Sequence, residues 1–266
     1  MILPYTVKQI TGDNLTLAWV NALVECSNAS HKKISPAAVT FPVYDNENDN
    51  EIPEIRNILD DILFDNKKTY SGNKVSETVA NTIFPESIWR IAKGDRQLFY
   101  SKYYNMFPLV KKSKNNSNGT YFSRLIAYDI NDKKVNQLEH IISTWAKKNH
   151  RLSALQAGVF NPAKDHTDQR IKGFPCLQQI VFQPIGVNGT GGLSLIAFYA
   201  KQAVIEKAYG NYLDLLRLGK FMAENMGLEL KSVTCIASDL SLYNTSKNEY
   251  SNLIKSVEKV ISNAGN

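Results

Sequence analysis

The sequence predicts an α+β fold, with helices packed on a mixed or antiparallel sheet. Three observations lead there. Helical periodicity dominates the first 150 residues. From residue 151 the pattern turns β-rich, with "CLQQIVFQPI" and "GLSLIAFYAKQ" joined by the hairpin signal "GVNGTGG". A long helical stretch, "AVIEKAYGNYLDLLRLGKFMAENMGL", then follows the second run. No composition shift, linker or repeat divides the chain, so residues 1–266 are read as one domain.

Taken in order, residues 12–27 predict a helix capped by Asp13 or Asn14, with Leu15, Trp19, Leu23 and Val24 on one face. "SPAAVTFPVYDNENDNE" holds a short strand and a polar loop. "IPEIRNILDDILFD" is a second helix with Pro53 in its first turn. A third begins after Pro85, and the aromatic-rich "DRQLFYSKYYNMF" is a fourth. "KKSKNNSNGT" has the composition of a loop. "DKKVNQLEHIISTWAKKNH" predicts an amphipathic helix burying Val135, Leu138, Ile141, Ile142 and Trp145. "RLSALQAGVFNP" reads as a strand stopped by Asn161-Pro162. Beyond the hairpin and the long helix, which Gly227 closes, come the strand "KSVTCIAS" and an amphipathic terminal helix.

A hydrophobic content of 43% and a charged content of 21% are those of a soluble globular chain. The formal net charge of +6 suits an anionic ligand. The basic residues are scattered and lack interleaved aromatics, so a nucleic-acid partner is not expected. The stretch "MILPYTVKQITGDN" has no basic region followed by an apolar run, so a secretory signal is not expected, and no run is long enough for a membrane span. Cys26, Cys176 and Cys235 are far apart and odd in number. No CxxC motif or Cys/His cluster accompanies them, which argues against a zinc site or disulfide framework and for the cytoplasm. Cys176 has two readings: a nucleophile, or a small core residue at the start of a strand. Cys26 and Cys235 lie in apolar segments and read as core.

Several stretches, in this order, resemble thymidylate synthase and its relatives, folate-dependent enzymes that alkylate carbon 5 of a pyrimidine nucleotide. The similarity spreads over residues 75–245 and is strongest at 137–227. "ESIW" at 86–89 resembles the family's Glu-Leu-Leu-Trp, and "GTYFSR" at 119–124 its Gly-x-x-Tyr-Gly. "NQLEHIISTWAKKNHRLSALQAGVFNP" is similar to a family segment ending in Trp-Asn-Pro. "FPC" at 174–176 resembles Pro-Pro-Cys, "AFYAKQA" a Tyr-Gln-Arg-Ser-Ala strand end, and "SLYN" a His-x-Tyr.

The resemblance implies a thymidylate synthase-like fold whose sheets pair face to face in a homodimer. It implies a pyrimidine as substrate and 5,10-methylenetetrahydrofolate as one-carbon donor. Cys176 would be the nucleophile that adds at carbon 6, splitting one hard step into two. Lys201 would lower the thiol pKa. Glu86 would be the acid and base at the ring edge, and Tyr121 would accept the carbon 5 proton through water. Asn211, one residue out of register, would pair with the pyrimidine edge, and Tyr243 would hold the ribose. Arg151 would stand in for a missing arginine pair, and Gly210 would permit close approach of a ligand or a neighbouring strand.

The chain also departs from the family. Its Arg-Thr-Gly phosphate loop has no counterpart, and Lys201-Gln202 replaces an Arg-Ser clamp, so bidentate phosphate recognition is not reproduced there. Leu177, Val181 and Val204 replace a His, a Gln and an Asp on the folate side, and Phe160 replaces a Trp. These changes fit a divergent relative using another pyrimidine or another donor. They fit equally a relative that lost catalysis and serves as a ligand-binding or interaction protein on the same fold.

Overall fold

A computed structural model describes residues 6–65, 75–112, 116–130, 133–168, 174–243 and 245–264. The elements run β1 (Lys8–Thr11), α1 (Leu15–Asn28), β2 (Lys33–Ile34), β3 (Ala37–Pro42), α2 (Pro53–Asp65), α3 (Val75–Ala80), α4 (Glu86–Ala92), α5 (Arg96–Val110) and α6 (Tyr121–Ile126). They continue with β4 (Tyr128–Ile130), β5 (Lys133–Val135), α7 (Gln137–Ala146), β6 (Gln156–Gly158), α8 (Pro162–Asp165), β7 (Leu177–Pro184), β8 (Leu193–Tyr199) and β9 (Gln202–Ala203). The last are α9 (Tyr209–Met226), β10 (Leu230–Ala237), β11 (Leu240–Ser241) and α10 (Lys247–Ala264).

The α+β class holds, and the main sheet is mixed. Its order is β1-β3-β10-β8-β7-β6, with β1/β3 and β10/β8 parallel and the other neighbours antiparallel. Period-2 patterning gives this sheet two different faces. Leu193, Leu195, Ala197 and Tyr199 of β8, with Val233, Cys235 and Ala237 of β10, point into one buried core under α1 and α9. On the opposite face Ser194 meets Ser232 at 2.8 Å and Thr40 meets Thr234 at 3.0 Å, with Ile196, Ile236 and the exposed Phe198 beside them.

Two elements differ from the sequence reading, each for a local reason. Val135 is not on a helix: it ends strand β5, paired with Tyr128, and α7 starts only after Asn136, whose side chain accepts from Glu139 N at 3.1 Å. The strand in "RLSALQAGVFNP" shrinks to Gln156–Gly158, because Asn161 turns the chain into α8 as its N-cap. The loop expected at "KKSKNNSNGT" falls partly on residues 113–115, which lie outside the described residues. Strand β1, missed from the sequence, buries only Ile10 and so shows little alternation. Asn14 caps α1, and Gly227, at φ 67°, closes α9 in the left-handed conformation a glycine adopts freely. Among the described residues, no helix is long and apolar enough to cross a membrane.

All three cysteines are free, and Cys26 and Cys235 are fully buried. Burial pushes the Cys26 thiol up to about 12, with Asp239 and Glu25 adding to the rise, and burial likewise raises Cys235. The folded state therefore holds protons that the unfolded chain releases above pH 9, so stability should fall as pH rises from 9 towards 12. Each thiol contributes up to about 1.4 kcal/mol per pH unit in that window. Urea midpoints at pH 8, 9.5 and 10.5 check this. The Cys26→Ala variant should show a shallower fall.

Candidate active site

Cys176 precedes β7, where that strand leaves the end of β8. Ala200 N donates to its carbonyl at 2.9 Å, and the Gln178 carboxamide donates to the carbonyls of Pro175 at 2.8 Å and Cys176 at 3.2 Å. The backbone is thus fixed from two sides. The side chain is half-buried, unlike the other two thiols. Burial raises its pKa from the ordinary value, and the charges of Lys207 and Lys201 pull it back down. Burial outweighs the two lysines, so the thiol stays above its ordinary pKa and they only limit the rise.

Tyr121 opens α6 behind Thr120, whose hydroxyl and backbone form a capping box with Ser123. Its ring stacks on Phe174 at 5.2 Å, and its hydroxyl lies against the backbone of Cys176 and Leu177. Burial, with Cys176 adding, raises the phenol pKa. One helical turn on, the Arg124 guanidinium sits 5.3 Å from the Phe174 ring centre and grips Asp165 through two hydrogen bonds of 3.0 and 2.9 Å. Lys201 is exposed and holds its ammonium 3.7 Å from the ring centre of Tyr243, itself half exposed. Cys176, Tyr121, Lys201 and Tyr243 therefore gather at one end of the β7/β8/β10 sheet.

Asn211 lies in the first turn of α9 and is buried, with no carboxamide hydrogen bond among the described residues. The neighbouring Gly210 allows close approach of a helix rather than of a strand. A Cβ there would fall 2.6 Å from the Ser76 carbonyl oxygen and 2.7 Å from Val79 Cβ of α3.

For two further expected residues the described surroundings are these. Glu86 opens α4 and pairs with Arg217 at 3.0 Å. It lines a cleft of about 260 Å³ with Phe84, Trp89, Lys220 and Phe221, and Cys176 is not part of that lining. Arg151 is exposed on the turn leading into β6.

The sequence reading passed over Lys207, Arg124, Tyr199 and Asp214. Tyr199 keeps a fully buried hydroxyl without a hydrogen-bond partner, and Gln202 likewise keeps a buried Nε2, while its Oε1 accepts from Tyr212 at 3.1 Å. Asp214 is entirely buried, and burial pushes its carboxyl well up against the opposing pull of the Ile83 N–H and Arg217. A lone acid in "YLDLLRL" is the one signal that pointed to it.

No protein-family profile matches the chain. Among curated proteins it is similar to one named "Putative thymidylate synthase" from Methanopyrus kandleri, 28% identical over 109 residues. That alignment covers 41% of this chain, and the chain spans about half, 49%, of the relative's length. The similarity supports a distant relationship to a protein of that name.

Proposed function

We propose that the chain is a divergent thymidylate synthase-like transferase, one domain over residues 1–266, that forms a covalent adduct between Cys176 and a pyrimidine nucleotide or nucleoside and places a one-carbon group on carbon 5. The observation that carries this reading is the half-buried Cys176 thiol under the joint influence of Lys201, Lys207 and the adjoining Tyr121. The thiolate attacks carbon 6, and the bond breaks the ring's conjugation and leaves carbon 5 nucleophilic. The two lysines favour the thiolate. Tyr121 stands beside the sulfur's backbone and is the group assigned to the carbon 5 proton, through water. The unpartnered Asn211 carboxamide is assigned to the base edge and Tyr243 to the sugar. Glu86 stays in its ion pair with Arg217, and Arg151 remains on the surface.

The donor side does not fit 5,10-methylenetetrahydrofolate. Leu177 and Val204 are buried hydrocarbon with no polar group to offer a pterin. No step is therefore derived through that cofactor. The same two residues, with Glu86 held by Arg217, favour a second reading, a relative that binds its ligand without turnover.

A 5-fluoropyrimidine deoxynucleotide or nucleoside, incubated with the protein and analysed by intact mass, is expected to give one adduct, mapped to Cys176. Noncovalent binding alone would support the second reading. A homodimer is part of the proposal, with a second copy covering the open sheet face around Ile196, Phe198 and Ile236. Sedimentation should return twice the chain mass, and Phe198→Glu should return the monomer.

A further inference from the structure

We propose that Asp214 is a positioning residue that sets Tyr121 against Cys176, an inference that rests on reading those two as the working pair. A buried carboxylate persists only where its lone pairs are satisfied. The Asp214 carboxyl is held in an unusual way, because both of its oxygens accept from consecutive backbone amides of another segment. Oδ2 accepts from Ile83 N, and Oδ1 from Phe84 N at 2.8 Å. The turn between α3 and α4 is thereby tied to α9.

The same turn carries α6. The carbonyl of Thr82, one residue before Ile83, accepts from Phe122 N at 2.8 Å. Phe122 follows Tyr121 directly, and its ring packs edge-on against Phe84 at 6.2 Å. The Tyr121 hydroxyl then reaches the backbone of Cys176 and Leu177. A short path therefore leads from the Asp214 carboxylate, through Ile83 and Phe84, to the Thr82 carbonyl, to Phe122 and Tyr121, and ends beside the sulfur. The other ties between α9 and this region are Gly210 against α3, Arg217 on Glu77 and Glu86, and Phe221, whose ring centre lies 5.3 Å from that of Phe84. Among the described residues, only Asp214 provides a side chain that bonds the Ile83 and Phe84 amides themselves. Asparagine cannot replace it fully, because one of its two polar atoms is a donor and would face an N–H.

The test is the rate at which iodoacetamide alkylates each cysteine, mapped by peptide mass across pH 7–10. Cys26 and Cys235 are buried and serve as internal reporters of unfolding. In Asp214→Asn, Cys176 should react at least about threefold faster than in the wild type, with a shifted pH midpoint, while Cys26 and Cys235 stay silent. Adding Tyr121→Ala should bring little further change, as expected for two residues acting on one path. An unchanged Cys176 rate and pH profile in a folded Asp214→Asn protein would overturn the proposal and leave Asp214 a structural residue only.

If the variant does not fold, the wild type in sub-denaturing urea decides. The amides of Ile83, Phe84 and Phe122 should lose exchange protection at the urea concentration at which Cys176 becomes reactive. Cys176 gaining reactivity while those amides remain protected would overturn the proposal. These readouts need no substrate. Failure of fluoropyrimidine capture would therefore count against the functional reading without touching this one.

Discussion

Replacing Cys176 by serine should abolish covalent capture of a 5-fluoropyrimidine and lower any carbon 5 transfer by on the order of 10⁴-fold or more, the scale of losing a covalent nucleophile. Serine keeps the size of the side chain, but its hydroxyl is not ionised near neutral pH. Lys201 and Lys207, which oppose the rise that burial imposes on the Cys176 thiol, then have no thiol to act on. Noncovalent binding of the pyrimidine should survive, because Asn211 and Tyr243 are untouched. The other two cysteines cannot substitute. Both are fully buried, and burial holds their thiols protonated. Cys26→Ala and Cys235→Ala should accordingly keep capture at Cys176. Intact mass and a binding titration on the same samples measure both effects. An adduct that persists in Cys176→Ser would sink the functional reading.

Arg124→Ala should destabilise the chain by about 3–5 kcal/mol, the cost of removing one partner from a buried ion pair. The Asp165 side chain is only 1% exposed and the Arg124 side chain 14%. Asp165 also accepts from Asn161 N at 2.7 Å, so its carboxylate organises the α8 turn as well as the guanidinium. Without arginine the buried carboxylate loses the guanidinium's charge and both of its hydrogen bonds. The same substitution removes the cation from over Phe174, on which Tyr121 stacks. Arg124→Lys should recover part of the loss, because it restores charge but not the two-pronged grip. Urea denaturation followed by fluorescence gives the stability differences. The alkylation rate of Cys176 reports the loosened Phe174–Tyr121 stack.

The helices with a continuous apolar stripe, such as α2 and the long α9, could be read along the chain, as could the β7/β8 hairpin with its Gly-rich turn. Each is specified by residues within a few positions of one another. Strand β1 and the β4/β5 hairpin were not legible. Their stability comes from partners distant in sequence or from edge pairing with little burial, which leaves only a weak period-2 trace.

The candidate site divides in the same way. Pro-Cys ahead of a β-hairpin marked Cys176, and short stretches marked Tyr121, Lys201, Asn211 and Tyr243. By itself, then, the sequence determined the α+β class, the helices with a continuous apolar stripe and the β7/β8 hairpin, and it singled out Cys176 as the candidate, because those depend on neighbours along the chain. Only the tertiary structure decided which charges reach that sulfur. Lys207 acts on it, while Glu86 pairs with Arg217. It also decided that Asp214, an isolated acid in an apolar helix, ties down a turn 130 residues earlier in the chain. Electrostatic and hydrogen-bond partners are set by distances in space, and packing of α9 against the α3–α4 turn is what brings those partners together.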